Sequence, residues 1–319
     1  MYLPPFTVSA EAINLIAEIS GQIERYAIRL EQEDGLRLRK ANRIKTIHSS
    51  LLIEGNGLEH EAVTAILDGK RVLGDSRDIL EVENAKRAYD LIPELDPHSL
   101  EDLLLAHRTM MNGLVADAGR FRTGNVGVLD GDELIHAGTP ATYVPEVMAD
   151  IVGWLKATDM HPLLASCVFH FEFEFCHPFA DGNGRVGRLW HTLLLSRWRP
   201  VLAWLPVEST IRQRQSGYYA ALAKSDAVGS SEAFVEFMLE TIRDSLIPFA
   251  KPQSTQELAK MQTLAFFKEN PAANMSSLAE SLGCSKRSAE RIVAELKKEG
   301  ALTRLGSTRS GSWIVIEAD

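Results

Sequence analysis

Apolar positions recur at three- and four-residue spacing along most of the chain, the pattern of amphipathic helices. The first such pattern covers residues 9–48, where Ser9 offers a capping hydroxyl and Ile13, Ile16, Ile19, Ile23 and Ile28 mark an apolar face. The run Ser49-Ser50-Leu51-Leu52-Ile53 leads into a polar turn, Glu54-Gly55-Asn56-Gly57. Helical patterns follow at 59–70, 78–92 and 99–113, with Pro93 and Pro97 bracketing the break before the last. Residues 114–145 change texture. Gly119, Gly124, Gly127, Gly131 and Gly138, with Pro140 and Pro145, punctuate β-type fragments such as Val126-Gly127-Val128-Leu129, which predicts a small hairpin within a helical protein. Helical patterning resumes at 146–158, 161–176, 184–197, 211–224 and 231–247. Pro248 and Lys251-Pro252-Gln253-Ser254 then read as a linker.

Beyond the linker, Ser254-Thr255-Gln256-Glu257 is a capping-box pattern opening a helix that reaches Glu269. Asn270-Pro271 breaks it, helices at 276–282 and 285–299 flank Gly283-Cys284, and strands at 303–305 and 312–316 enclose a Gly/Ser turn. Three helices and a hairpin in this order predict a winged helix-turn-helix. The expected division is a helical region over 1–95, a core over 96–250 and the winged helix over 251–319.

Composition narrows the function classes. The 319 residues are 45% hydrophobic and 24% charged, ordinary for soluble domains. The net charge of −9 argues against a polyanion binder as a whole. Residues 254–319, however, hold nine basic and eight acidic side chains. Lys286, Arg287, Arg291, Lys297 and Lys298 lie on the expected recognition helix, and Arg304 and Arg309 on the wing. DNA is one partner this suits; a protein-docking or dimerisation role suits it equally. No run approaches the roughly 18 apolar residues of a membrane span, and Met1-Tyr2-Leu3-Pro4-Pro5 lacks the features of a signal peptide. Cys167, Cys176 and Cys284 form no C-x-x-C pair. A cytoplasmic protein is expected.

The densest polar cluster is His177-Pro178-Phe179-Ala180-Asp181-Gly182-Asn183-Gly184-Arg185-Val186-Gly187-Arg188. Pro178 stops the preceding helix and leaves His177 at its end. Gly182 and Gly184 allow a turn whose backbone N–H groups face an anion at the start of the next helix. Arg185 and Arg188 are three apart, where both reach one anion. Asp181 is an oxygen ligand suited to Mg²⁺ held jointly with substrate phosphates, and His177 is a base for neutral pH. Base, metal ligand and phosphate cradle together describe phosphate-ester chemistry on a nucleotide. Gly182 to Gly187 also fits G-x-G-x-x-G, and residues 168–175 alternate like a strand. A dinucleotide fold would need alternating strands and helices, which the rest of the chain lacks.

This segment resembles the Fic family signature, H-P-F-x-[DE]-G-N-G-R-x-x-R, with every defined position matched. The resemblance extends over about 40–250, through Gly119-Arg120-Phe121-Arg122, His170, Phe173, Glu174, Tyr218 and Leu222. It implies a mostly α, Fic-type helical bundle with a small β-hairpin flap. It also implies protein adenylylation, the transfer of AMP from ATP to a Ser, Thr or Tyr hydroxyl of a target protein. By that carry-over His177 is the base, Asp181 holds Mg²⁺, and Gly182, Asn183, Gly184 and Arg185 form the anion hole. Arg188 grips the γ-phosphate and Tyr219 and Leu222 line the adenine pocket. Asp226 stands where an asparagine is common. The stretch at 126–145 resembles the flap on which the target docks as an added strand.

Ser50-Leu51-Leu52-Ile53-Glu54-Gly55 matches the family's inhibitory motif, [ST]-x-x-x-E-[GN]. Glu54 paired with Arg188 would occupy the fork meant for γ-phosphate, and Ser50 would orient Glu54. In some family members this glutamate also serves AMP removal. A homodimer, common among relatives, could tune the clamp. The alternatives are a DNA-binding regulator with a sensing or auto-modifying Fic domain, and Fic-fold transfer of UMP or phosphocholine. Outside the motif's logic, Arg185 and Arg188 could pair at the surface with Glu172 or Glu174.

Overall fold

The computed structural model describes residues 2–31, 35–130, 133–250, 255–305 and 312–316. The chain divides into two compact units, 1–250 and 251–319.

The first unit begins with α1 (Ala10–Glu31), whose first turn Ser9 caps by accepting from Ala12 N at 3.1 Å. Its buried stripe is Ala12, Leu15, Ile19, Ile23, Tyr26 and Leu30. Two expected core positions, Ile13 and Ile28, lie off this stripe and are 58% and 61% exposed. Spacing alone could not choose between the two faces, because isoleucines stand on both. α1 packs on α11 (Glu232–Ala250), so the last long helix of the unit covers the first. The single helix expected over 9–48 is two: α2 (Gly35–Ile53) starts afresh and continues through 49–53. Next come α3 (His60–Leu67), α4 (Ser76–Asp90) capped by Asp75, and α5 (Leu100–Met110) capped by Ser99.

The glycine-rich stretch forms the expected hairpin: β1 (Gly127–Asp130) pairs antiparallel with β2 (Glu133–Ala137), with a bulge at 128–129. Gly131 lies outside the described residues. Helices α6 (Val144–Ala157), α7 (Pro162–Cys176) and α8 (Asn183–Trp198) follow, and α7 against α8 is the centre of the unit. α7 is buried almost all round, from Leu163 through Phe173. Its alternation at 168–175 therefore belongs to a core helix, and the dinucleotide reading falls. Among the described residues the strands form only two antiparallel pairs.

After a short 3-10 turn (Pro200–Trp204), the helix expected at 211–224 is also two, α9 (Val207–Gln213) and α10 (Gln215–Val228). Arg214 parts them and reaches Glu240 at 2.6 Å and Asp244 at 3.2 Å on α11. Pro248 is not linker. It sits exposed in the last turn of α11, where Phe249 next to it packs on Tyr26 with ring centroids 4.7 Å apart. Residues 251–254, including the expected capping Ser254, lie outside the described residues.

The second unit holds α12 (Thr255–Glu269), α13 (Met275–Ser281) and α14 (Lys286–Lys298), then the antiparallel pair β3 (Leu302–Leu305) and β4 (Ser312–Val315). Phe267, Leu278, Ile292, Val293, Leu296 and Trp313 form its core. The connecting turn, with Arg309, lies outside the described residues. No described helix is long and apolar enough to cross a membrane.

Candidate functional site

The α7–α8 connection gathers the predicted chemistry. His177 ends α7 in the left-handed region at φ 50°, ψ 62°, the one non-glycine residue with positive φ among those described. A helix commonly ends this way on glycine; on histidine the conformation needs outside support. Arg122 supplies it. Its guanidinium, in a residue 4% exposed, donates to His177 O at 2.7 Å, Cys176 O at 3.2 Å, Gly124 O at 2.9 Å and Thr139 O. Its backbone N donates to Pro178 O at 3.0 Å. One buried side chain thus joins the base of the hairpin to the carbonyl of His177. The sequence marked Arg122 only as part of a family stretch; its role depends on three segments meeting.

Residues 179–183 are closed by side chains. Phe179 N donates to Asn183 Oδ1 and Asn183 Nδ2 donates to Phe179 O, both at 2.8 Å. Phe179 stacks on His107 at 3.7 Å. Gly119 N donates to His107 Nδ1 at 2.8 Å, so Nε2 carries the proton and donates to Asp181 O at 3.0 Å. Gly182, at φ +85°, opens α8, and a Cβ there would meet Met111 Sδ at 2.6 Å. A Cβ on Gly184 would meet Glu54 Oε1 at 2.5 Å, so this glycine is what lets the α2 carboxylate approach.

Both arginines are buried, at 3% exposed for Arg185 and 2% for Arg188. Arg188 donates from Nε to Ser50 Oγ at 3.0 Å, and from Nη2 to Ser50 O at 3.0 Å and Glu54 Oε1 at 2.8 Å. Burial opposes its charge, and Glu54, with Tyr218 and Glu174 nearby, together more than offset that. Arg185 donates to Glu81 Oε1 at 3.1 Å and Asp181 Oδ1 at 3.0 Å. Two expectations are corrected. Ser50 holds Arg188 rather than Glu54, because the serine faces α8 one turn before the glutamate. The surface pairing with Glu172 or Glu174 is absent, since the arginines are taken up by Glu54, Glu81 and Asp181; Glu172 accepts from Tyr2 Oη at 2.5 Å instead.

Glu81 was missed by sequence reasoning. The available signal was a charged residue inside the apolar stripe of α4, beside Val82 and Ala85, all three buried. Behind Arg188 lies a second polar layer. Burial pushes the Glu174 carboxyl up to about 7 and the His170 imidazole down to about 3. His170 Nε2 is 3.1 Å from Tyr218 Oη. Tyr219, 47% exposed, stands edge-on to Tyr218 at 5.4 Å. Leu222 is partly buried on the same α10, which also reaches α2 through Gln215 Nε2 to Ile53 O at 3.4 Å. Gly55 closes α2 at φ +87°.

The profile of the Fic/DOC family matches residues 97–195. The chain is 30% identical over 208 residues to protein adenylyltransferase fic-1 of Caenorhabditis elegans, a match covering 60% of this chain and 38% of that protein. It is 28% identical over 221 residues to protein adenylyltransferase Fic of Culex quinquefasciatus, covering 66% and 42%. The chain thus spans about two fifths of the length of these curated relatives. Among solved structures, a Fic family protein from Desulfovibrio desulfuricans G20 superimposes with a TM-score of 0.78 at 41% identity, covering 100% of this chain and 99% of that one. The fold of C. elegans Fic-1 matches with a TM-score of 0.60 at 23% identity, over 74% and 72% of the two chains. With the signature turn intact and near-complete coverage of a 41% identical member, this chain belongs to the Fic/DOC family.

Proposed function

We propose that this protein transfers AMP from ATP to a hydroxyl side chain of a target protein and is held inactive by Glu54. The observation that carries the reading is the single turn that presents His177, Asp181 and two buried arginines together. The naming of relatives as protein adenylyltransferases supports it. In this reading residues 1–95 are regulatory and 96–250 catalytic.

The half-buried His177 imidazole takes the proton from the target hydroxyl. The hydroxyl oxygen bonds to the α-phosphorus as the bond to the bridging oxygen of the β-phosphate breaks, and pyrophosphate leaves. The N-terminus of α8 carries no side-chain cap, so Asn183, Gly184 and Arg185 offer backbone N–H groups to the phosphates. Tyr219 and Leu222 flank the adenine. The hairpin at 126–145 receives the target through main-chain bonds. The described residues hold no cluster of three or more metal-ligating side chains. A single part-exposed Asp181 fits a Mg²⁺ that arrives with the nucleotide phosphates. Bound there, the ion would neutralise phosphate charge.

Glu54 at 2.8 Å occupies the Arg188 fork. A γ-phosphate must displace that carboxylate, so ATP binds poorly or out of line until Glu54 leaves. The same carboxylate could serve AMP removal by orienting a water. The free cysteines Cys167, Cys176 and Cys284 fit a cytoplasmic setting.

The test compares label transfer from α- and γ-labelled ATP, with Mg²⁺, by the unaltered chain, Glu54→Gly, and Glu54→Gly/His177→Ala. α-Label on protein with Glu54→Gly alone is the expected result. γ-Label would mean a kinase-like orientation. No label from either donor would turn the reading to UMP or phosphocholine transfer.

A second reading concerns the second unit. The order α12, α13, α14, β3, β4 supports a winged helix-turn-helix, and Lys286, Arg287, Arg291, Lys297 and Lys298 of α14 are all exposed. DNA is the partner to test first: a gel shift at low salt with the protein's own promoter, lost in Arg287→Ala/Arg291→Ala. Absence of a shift ends the DNA reading and leaves protein docking or dimerisation.

A further inference from the structure

The segment after Glu54 is fastened a second time, away from Arg188. Asn56, 5% exposed, donates from Nδ2 to Glu81 Oε2 at 2.9 Å and to Asp78 O at 3.2 Å. Its Oδ1 accepts from Leu58 N at 3.1 Å, and its own N–H donates to Leu51 O at 3.1 Å on the last turn of α2. The next residue, Gly57, donates from N to Asp78 Oδ2 at 3.1 Å. The other oxygen of the same Glu81 carboxylate accepts from Arg185 at 3.1 Å. Glu81 is itself only 8% exposed, so water is a poor substitute for either partner. A single glycine separates Glu54 from Asn56.

The geometry points to Glu81 as a positioning residue with two duties: one oxygen fixes the Arg185 guanidinium at the phosphate turn, and the other latches Asn56 and so preorganises Glu54 against Arg188. The inference rests on the AMP-transfer reading and deepens it, making the brake a two-point attachment. The physical reason is entropic. A carboxylate whose backbone is pinned on both sides has already lost its freedom on folding, and so competes better with an incoming phosphate. Without the Asn56 contact the end of α2 is free to fray, and Glu54 must be ordered each time it binds Arg188. The cost falls on the closed state alone.

The test uses the full chain with Asn56→Ala, Asn56→Asp and Glu81→Gln, each alone and combined with Glu54→Gly. Asn56→Asp keeps the acceptor for Leu58 and sets a second carboxylate against Glu81, so it is the stronger release. α-Label transfer, ATP affinity by calorimetry, thermal melting and amide exchange over residues 49–58 are measured. Both Asn56 variants are expected to raise basal transfer and tighten ATP binding by roughly tenfold, the value of one hydrogen bond to a charged group. In the Glu54→Gly background Asn56→Ala, which leaves the Glu81 carboxylate on Arg185, changes neither. Glu81→Gln raises basal transfer relative to its own Glu54→Gly ceiling, and in that background raises the KM for ATP because Arg185 loses its anchor. A purely structural role would lower the melting point and leave these ratios alone. Folded Asn56 variants with unchanged basal-to-ceiling ratio, beside an active Glu54→Gly, overturn the latch. Should Glu54→Gly be inert, the functional reading fails, and amide exchange still decides. Faster exchange over 49–58 in Asn56→Asp supports the latch; unchanged exchange overturns it.

Discussion

Residues 162–198 and 275–298 are built on one plan. Each is a helix, a turn with a glycine at positive φ (Gly182 at +85°, Gly283 at +60°), and a second helix with basic residues in its first turns. They differ in what covers that second helix. At α8 the arginines are buried, each against a carboxylate, and no side chain caps the helix start. At α14, Ser285 Oγ caps the start by accepting from Ser288 N at 3.2 Å, and Lys286, Arg287 and Arg291 are exposed. A buried guanidinium requires a resident anion, so an anion reaching the α8 arginines would have to displace a carboxylate already there. The basic side chains of α14 stand open to solvent. The same residue types are therefore paired and covered in one unit and open to solvent in the other.

Four measurements separate the two turns. The largest effect is on transfer. In the Glu54→Gly background, His177→Ala is expected to lower label transfer by about 10²–10⁴-fold, the usual contribution of a general base, whereas Ser285→Ala at the matching turn leaves it unchanged. Stability comes next. Arg188→Ala opens a void in α8 and leaves the buried Ser50 hydroxyl without its donor, which costs about 3 kcal/mol in urea unfolding, while Arg287→Ala stays within about 0.5 kcal/mol.

Glu174 gives a smaller, pH-dependent effect. The unfolded carboxyl titrates near 4.5, and burial holds the folded one up to about 7. The folded state therefore retains a proton that the unfolded state releases, and stability falls as pH rises through that window. Glu174→Gln removes the fall, so its melting point gains on the unaltered chain by a few degrees between pH 5 and pH 8. His170 works in the other direction. Held neutral down to about 3, it withdraws stability as pH drops below 6.5. The smallest effect is electrostatic. If α14 meets DNA phosphates, Arg287→Ala/Arg291→Ala lowers the slope of log affinity against log salt by about 1.8. An unchanged slope ends the DNA reading and with it the contrast between the two turns.

The turn that carries the candidate site is legible in the sequence. The turn from His177 to Arg188 is contiguous, and its proline and glycines mark where helices stop and start. Ser50 and Glu54 were readable as a motif. Their partner atoms were not: Ser50 was expected on Glu54 and lies on Arg188. The face of α1 was misjudged at Ile13 and Ile28 because isoleucine stands on both sides of the helix. Two helices hid in the pattern at 211–224 because no proline or glycine marks the break at Arg214, whose side chain pairs with α11.

Most of the helical plan, and the proline and glycine punctuation between His177 and Arg188, were written in the sequence, since these depend on local sterics and on neighbours within a few residues. Tertiary structure alone decided which carboxylate meets which arginine. Glu54 and Arg188 are joined from α2 and α8, Glu81 and Arg185 from α4 and α8, and Arg122 reaches His177 from a loop. Each of these is a long-range pairing of groups that burial makes costly alone. Only the packed helices bring the partners close enough to satisfy one another.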